Sequence, residues 1–291
     1  MSAVKPRFRE IGESDLDAIA DLLTRGFVYR SRDYWMRGLQ RQSSRPLPDG
    51  APRYGYLMEH ENKPVGCLLL IYSLKMLDGQ AVTCCNLSSW YVDPEFRNYA
   101  ALFASMTQKR KDAIFFNVTP ARPTWAILEA QGFKTYCRGL YFSLPVLAHA
   151  GRSMRVEAVT PQTSALAGLP DDEVAMLKRH AGYGCLSLVC RTAQEAVPFI
   201  FFRLRIRRGI IPLPILQLGY CRTLDDYARC AGALGRFLLG RGTPIVISDA
   251  NGLMKGVPGF YSEVRGRKYF KGPHCPRLGD LADTELAIFG M

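Results

Sequence analysis

Apolar positions in the first part of this chain change period several times, and each change marks a new element. Residues 7–11 alternate as a short strand. A helix is predicted next, with Ser14 as its expected N-cap. Five apolar residues recur at helical spacing: Leu16, Ile19, Ala20, Leu23 and Phe27. A second helix is expected over residues 33–40. The Pro- and Gly-containing stretch 43–52 is expected to be a loop.

Strand patterns then dominate up to residue 92. Residues 54–59 and 64–73 read as an antiparallel pair with a polar turn at 60–63, and residues 81–92 as a third strand after the turn Asp78-Gly79. The turn Asp93-Pro94 follows, and helical spacing begins at about Tyr99. A strand over 113–118, a helix over 124–131 ended by Gly132, and a strand over 133–143 complete this part.

The second half repeats this order of elements. It reads as a strand (154–159), a helix (171–180), three strands (185–191, 197–207 and 215–222), a helix (224–240) and two strands (244–248 and 263–271). A repeat of element order without residue identity indicates a tandem duplication. We therefore expect an α+β fold with mixed α/β character, made of domains 1–150 and 151–291, each a mostly antiparallel mixed sheet flanked by helices.

Composition is that of a globular protein, with 48% hydrophobic and 22% charged residues in 291. No apolar run approaches the roughly 20 residues of a membrane helix, and the N-terminus lacks the apolar core of a signal peptide. A cytoplasmic protein without a membrane span is expected. The nine cysteines are scattered without C-x-x-C pairs, which favours free thiols over a metal site or disulfides.

The formal net charge is +12, and the basic excess is spread over both halves. Basic charge without an aromatic and basic recognition motif does not indicate nucleic-acid binding. It is compatible with attraction of a polyanionic small molecule or an acidic protein. An internal pseudo-dimer of the two halves would also favour a monomer.

The stretch from Trp90 to Leu102, with sequence WYVDPEFRNYAAL, joins a strand to a helix through a charged turn. The start of a helix presents unpaired backbone N–H groups that can bind a phosphate. Small residues at this position let the backbone come close to the phosphate. The stretch resembles motif A of the GCN5-related N-acetyltransferases, in which Val-Asp-Pro leads into Arg/Gln-x-x-Gly-x-Gly/Ala. Ala100 and Leu102 stand where that family prefers Gly and then Gly or Ala.

This resemblance implies that acetyl-CoA or another acyl-CoA is the cofactor. It places cofactor binding on nine residues: Trp90, Tyr91, Val92, Arg97, Asn98, Tyr99, Ala100, Ala101 and Leu102. The opening of the chain resembles the family's first strand and helix. Residues 128–133 (LEAQGF) resemble its motif B, although Leu128 stands where the family often has a catalytic Tyr.

Candidate catalytic groups are few. The family often carries a carboxylate base on the strand before motif A, but this chain has Cys85-Asn86 there and no acid. Asn86 and Ser88 share a strand face and could order a water that takes the proton; alternatively, they are only polar groups satisfied within the sheet. Cys85 has no His near it in sequence, which argues against a nucleophile.

Three functions therefore remain open. The first is an N- or O-acyltransferase acting on an unidentified small-molecule or peptide acceptor. The second is a CoA-binding or regulatory module without turnover, and the third is a transferase using a long-chain donor or one bound to a carrier protein. The second half lacks motif A and carries Asp225 and Asp226 at the matching helix start, so we expect it to be degenerate.

Overall fold

A computed structural model describes residues 5–77, 79–108, 110–151, 153–164, 166–192, 194–204, 207–208, 211–212 and 214–290. The chain divides into two compact units. The first contains Met1–Thr135, Lys268–Pro276 and Asp283–Phe289. The second contains Tyr136–Arg267, Arg277–Ala282 and Gly290–Met291. This division differs from the expected boundary at residue 150, because the chain changes unit at residue 136 and again near its C-terminus.

The helices are α1 Leu16–Gly26, α2 Arg32–Ser43, α3 Ala100–Met106, α4 Trp125–Ala130, α5 Asp171–Gly182, α6 Leu224–Leu239 and α7 Glu285–Ile288. The strands are β1 Arg7–Glu10, β2 Gly55–His60, β3 Lys63–Leu77, β4 Gln80–Val92, β5 Ala113–Asn117, β6 Lys134–Cys137, β7 Gly139–Ser143, β8 Arg155–Val159, β9 Leu186–Arg191, β10 Ala196–Arg203, β11 Arg207–Arg208, β12 Ile211–Pro212, β13 Ile215–Tyr220, β14 Ile245–Ala250, β15 Gly259–Ser262 and β16 Lys268–Lys271. Asp78, in an expected turn, lies outside the described residues.

The first unit is built on a seven-stranded sheet with the order β1-β2-β3-β4-β5-β16-β6. Its β4–β5 pair is parallel, whereas β1–β2, β2–β3, β3–β4 and β5–β16 are antiparallel. One face is covered by α1 and α2, which bury Ile19, Leu23, Trp35 and Leu39 against β2 and β3. The fold class expected from the sequence, a mixed sheet flanked by helices, is confirmed.

The start of α1 differs from the expectation. Ser14 does not cap the helix, because a 3-10 turn over Glu13–Asp15 precedes it. The Asp15 carboxylate accepts a hydrogen bond from the Gly12 backbone N–H at 2.8 Å. It also forms an ion pair with Arg9 at 2.7 Å. Two strong donors therefore select Asp15 over the neighbouring hydroxyl.

The single strand expected over residues 133–143 is two strands in different sheets, β6 and β7. The ladder is interrupted at Arg138, whose backbone N–H donates to Asn251 Oδ1 at 2.7 Å. The late strand expected over 263–271 forms only at its end, as β16, whereas β15 precedes the expected range. Gly266 lies between them with φ +94°, a backbone conformation that ends an extended strand.

The second unit repeats this plan. Its seven-stranded sheet has the order β15-β7-β14-β13-β10-β9-β8, with β13 and β14 parallel. Helix α6 begins at Thr223, whose hydroxyl accepts from the Asp226 N–H at 3.0 Å as expected for a cap. It buries Tyr227, Cys230 and Leu234 in the core.

The end of β13 is covered by the chain itself. Parallel pairing with β14 ends at Gln217. Beyond it, Gly219 O accepts from the Leu281 N–H at 2.8 Å, and the Cys221 N–H donates to Gly279 O at 2.9 Å. Residues 279–281 therefore occupy the backbone hydrogen-bonding groups at the end of β13, so these groups are not available to a ligand.

Candidate functional site

In the first unit, β4 extends beyond its parallel partner. The β4–β5 pairing runs from Thr83↔Ala113 to Asn86↔Phe116. Beyond Asn86, β4 continues to Val92 with pairing to β3 on one side, and within the described residues no strand pairs with it on the side of β5. This end of β4 therefore presents backbone groups at an open edge.

A bulge lies at the same point. Leu70 pairs with Leu87 and Leu68 with Trp90, so that Ser88 and Ser89 together oppose the single residue Leu69. A bulge of this kind bends a strand and redirects its side chains. In β4 it lies where the pairing with β5 ends.

The motif A turn is held by three contacts. The Asp93 N–H donates to Val65 O at 2.8 Å, and Asp93 O accepts from the Phe96 N–H at 2.9 Å. The Asp93 carboxylate pairs with Arg25 of α1 at 2.9 Å. This hydrogen bond raises the pKa of Arg25. The turn after β4 is therefore anchored to both β3 and α1.

The segment after this turn enters the helix close to the expected position, at about Tyr99. A 3-10 turn covers Pro94–Tyr99, and α3 begins at Ala100. Arg97, Asn98, Ala101 and Leu102 are exposed, while Tyr99 and Ala100 are partly buried. Leu102 is 53% exposed. Its side chain stands where the family prefers a small residue, but it points outward and does not fill the turn.

The three strand residues expected to line the cofactor have different environments. Val92 is buried, and Trp90 packs against the same core. Tyr91 lies over Gly26, at which an added Cβ would come within 2.4 Å of the Tyr91 ring. The Trp90 indole N–H is buried without a hydrogen-bond partner in the part of the chain that the structure describes.

Asn86 and Ser88 both contact the C-terminal helix α7. The Asn86 Oδ1 accepts from the Glu285 backbone N–H at 2.8 Å, and its Nδ2 donates to Phe116 O at 3.3 Å. The Ser88 hydroxyl donates to Glu285 Oε2 at 2.8 Å. The Thr119 hydroxyl, just after β5, donates to Glu285 Oε1 at 2.5 Å. A carboxylate thus lies at the point where β4 and β5 stop pairing.

The chain around Glu285 is firmly attached to the first unit. Asp283 pairs with Arg45, just after α2, at 3.0 Å, and the two side chains are only 11% and 4% exposed. Arg41 donates to Ile288 O at 2.9 Å. The Phe289 ring fills the space over Gly38, where an added Cβ would come within 1.9 Å of it. These contacts hold Glu285 in place through packing on both sides of it.

Desolvation raises the pKa of the Glu285 carboxyl, while hydrogen bonds from Thr119 and Ser88 and the charge of Lys268 act in the opposite direction. The Glu285 residue as a whole is partly exposed, and the neighbouring Thr119 is exposed. A raised pKa makes a carboxylate a stronger base, which is the property that a general base needs.

Sequence reasoning missed Glu285, since it lies far along the chain from motif A. One signal was present: Asp283 and Glu285 interrupt an apolar C-terminal stretch (LADTELAIF) that has the composition of a buried segment. Acidic side chains in a buried stretch need hydrogen-bond or ion-pair partners. Buried acids with perturbed pKa values often belong to functional sites.

Two other candidate groups are buried. Cys85 is fully buried, and desolvation raises the pKa of its thiol, which makes it a poor nucleophile. Leu128 of α4 is 5% exposed and packs in the core with Phe133. Among the described residues there is no cluster of metal-ligating side chains and no helix that is long and apolar enough to cross a membrane.

No protein-family model matches the chain, and no curated protein sequence is similar to it. Solved structures do resemble it over most of its length. A GCN5-related N-acetyltransferase from Anabaena variabilis has a TM-score of 0.57 at 12% identity, with 91% of this chain and 72% of that chain covered. A putative acetyltransferase from Pyrococcus horikoshii has a TM-score of 0.56 at 10% identity, with 97% and 94% covered.

A third structure, described as a probable N-acyltransferase from Enterococcus faecalis, has a TM-score of 0.57 at 11% identity. The similarity covers 96% of this chain and 74% of the Enterococcus faecalis chain. Identities this low establish the fold alone. With two seven-stranded mixed sheets flanked by helices, the chain has a tandem arrangement of the fold seen in GCN5-related N-acetyltransferases.

Proposed function

We propose that this protein is an acyl-CoA dependent acyltransferase and that its first unit binds the cofactor. The observation that carries the proposal is the open edge of β4 beyond Asn86, which leads directly into the exposed turn at Arg97. An extended pantetheine arm can pair with such a strand edge by backbone hydrogen bonds. The turn that follows is where the motif A resemblance places the pyrophosphate.

The nine residues from motif A divide into two groups in this proposal. The backbone of Trp90, Tyr91 and Val92 pairs with pantetheine. The amides of the exposed turn and of the first residues of α3 bind the pyrophosphate, assisted by the Arg97 guanidinium; these residues are Arg97, Asn98, Tyr99, Ala100, Ala101 and Leu102. Acetyl-CoA is the proposed donor, and the acceptor is an N- or O-nucleophile.

Titration calorimetry with coenzyme A and acetyl-CoA tests the binding step. Saturable binding is expected, and Arg97→Glu should weaken it at least tenfold, since it replaces an attractive charge by a repulsive one. Arg236→Glu is the matched control, because Arg236 lies on α6 of the second unit. Absence of binding at millimolar coenzyme A would refute the proposal.

Turnover is tested separately, by following the release of the CoA thiol in the presence of a panel of amines and alcohols. Acetyl-CoA, palmitoyl-CoA and an acyl carrier protein donor should be compared, because the chain length is part of the question. Binding without thiol release for every donor and acceptor would favour the non-catalytic alternative. The buried Leu128 in place of a catalytic Tyr is the observation that keeps this alternative in view.

A further inference from the structure

Both oxygens of the Glu285 carboxylate accept hydrogen bonds. Two hydroxyls, from Ser88 and Thr119, donate to its two oxygens. Ser88 lies in β4 and Thr119 lies just after β5, so the carboxylate connects the two chain segments at the point where β4 and β5 stop pairing. Its own backbone N–H is fixed by the fully buried Asn86.

This arrangement orients the carboxylate without using all of its capacity to accept a proton. Hydroxyl donors satisfy one lone pair on each oxygen, and a carboxylate has further lone pairs that can accept a proton. Glu285 is partly exposed and the neighbouring Thr119 is exposed. In the proposed function, the thioester end of the cofactor would lie along this same stretch of β4.

The charged and titratable groups near Glu285 come from three elements. Lys268 of β16 favours the ionised carboxylate through its charge. Burial raises the pKa of the Tyr34 hydroxyl on α2, and the charge of Glu285 acts in the same direction. On the segment of Glu285 itself, the charge of Asp283 is compensated by Arg45.

We propose that Glu285 is the proton acceptor of the acyl-transfer reaction, that Asn86, Ser88 and Thr119 are its positioning residues, and that the acceptor is an aliphatic amine. The inference rests on the proposed function. It replaces the water relay that the sequence alone had suggested for Asn86 and Ser88 by a carboxylate that these two residues hold.

The proton balance of the step is simple. The acceptor arrives as an ammonium ion, which a carboxylate attracts, and gives one proton to Glu285. The neutral amine then attacks the thioester carbonyl and forms a C–N bond. The C–S bond breaks, the departing thiolate takes the second proton from nitrogen, and Glu285 returns its proton to solvent. Alcohols are much weaker acids than ammonium ions, so a carboxylate is suited to amines.

The test compares the pH dependence of kcat/KM for the wild type, Glu285→Gln and Glu59→Gln. Glu59 is a matched control, because it is a partly buried carboxylate of the same unit whose partner is Arg9, at 3.1 Å. The wild type should show an acidic limb from Glu285 and a basic limb from the amine. Glu285→Gln should lose about 10²- to 10⁴-fold in rate and lose the acidic limb, while Glu59→Gln keeps both.

Three outcomes are informative. Unchanged rate and pH profile in Glu285→Gln, in a wild type that does turn over, would overturn this inference and leave the proposed function standing. A wild type without any turnover would remove both. Coenzyme A affinity and melting temperature report folding of each variant, and Glu285→Asp, which keeps the carboxylate but shortens it, should retain the acidic limb at a reduced rate.

Discussion

Ser88 and Glu285 are 197 residues apart in sequence, yet the Ser88 hydroxyl donates to Glu285 Oε2 at 2.8 Å. The contact places a carboxylate on a strand that carries none of its own. It also gives Ser88 a definite role, because a hydroxyl that donates to an ionised carboxyl stabilises the charged form. Substitution of Ser88 should consequently change the titration of Glu285.

The first prediction concerns the direction of that change. Ser88→Ala and Thr119→Val each remove a hydrogen bond that lowers the pKa of Glu285. The pKa should rise further, so the acidic limb of kcat/KM should move to higher pH in both variants. At a pH below that limb, activity should fall more than at its optimum.

Thr119→Ser is the matched control, since it keeps the hydroxyl and should keep the wild-type limb. The pH–rate profiles of the four proteins provide the measurement. A limb that moves to lower pH in Ser88→Ala would contradict the assignment, because it would mean that the hydroxyl favours the protonated acid.

The second prediction concerns the buried ion pair between Arg45 and Asp283. Arg45→Met leaves the Asp283 charge buried without this partner, which typically costs about 3–5 kcal/mol. The segment that carries Glu285 should then detach more readily. Acyl transfer should fall at least tenfold, with a lower melting temperature, while coenzyme A affinity changes little because the turn after β4 has its own anchors on β3 and α1.

Limited proteolysis at the C-terminus, followed by mass spectrometry, measures the detachment directly. The double variant Arg45→Met with Asp283→Asn should recover part of the lost stability, since it removes the buried charge. Equal loss of cofactor affinity and of transfer in the single variant would show that Arg45 supports the whole unit and not this segment in particular.

The third prediction is that one chain binds one molecule of coenzyme A. Residues 279–281 bond to Gly219 and Cys221 at the end of β13, where the second unit would otherwise present an open edge. In addition, Asp225 and Asp226 lie in the first turn of α6 and would repel a pyrophosphate.

Calorimetry on the full chain should give a stoichiometry near one, and Arg97→Glu should abolish the single binding event at concentrations that saturate the wild type. A second event that persists in Arg97→Glu would show that the second unit retains a cofactor site of its own.

Sequence alone determined the parts of this protein that depend on local periodicity. The alternation over β2, β3 and β4, the turn at Asp93-Pro94 and the amphipathic face of α1 were all predicted. The repeat of element order in the second half was also predicted, because each element has its own apolar spacing. The tandem fold follows from these patterns.

Tertiary structure decided the rest. The stretch 133–143 has one continuous strand pattern but contributes to two sheets, since partner choice depends on which hydrogen-bonding groups remain unpaired near Arg138. Nothing in the spacing around Asn86 reveals that a carboxylate from the last residues of the chain lies against it. Its position depends on two donors that only folding brings together, Ser88 and Thr119, and its pKa is raised by burial against the opposing effect of these hydrogen bonds.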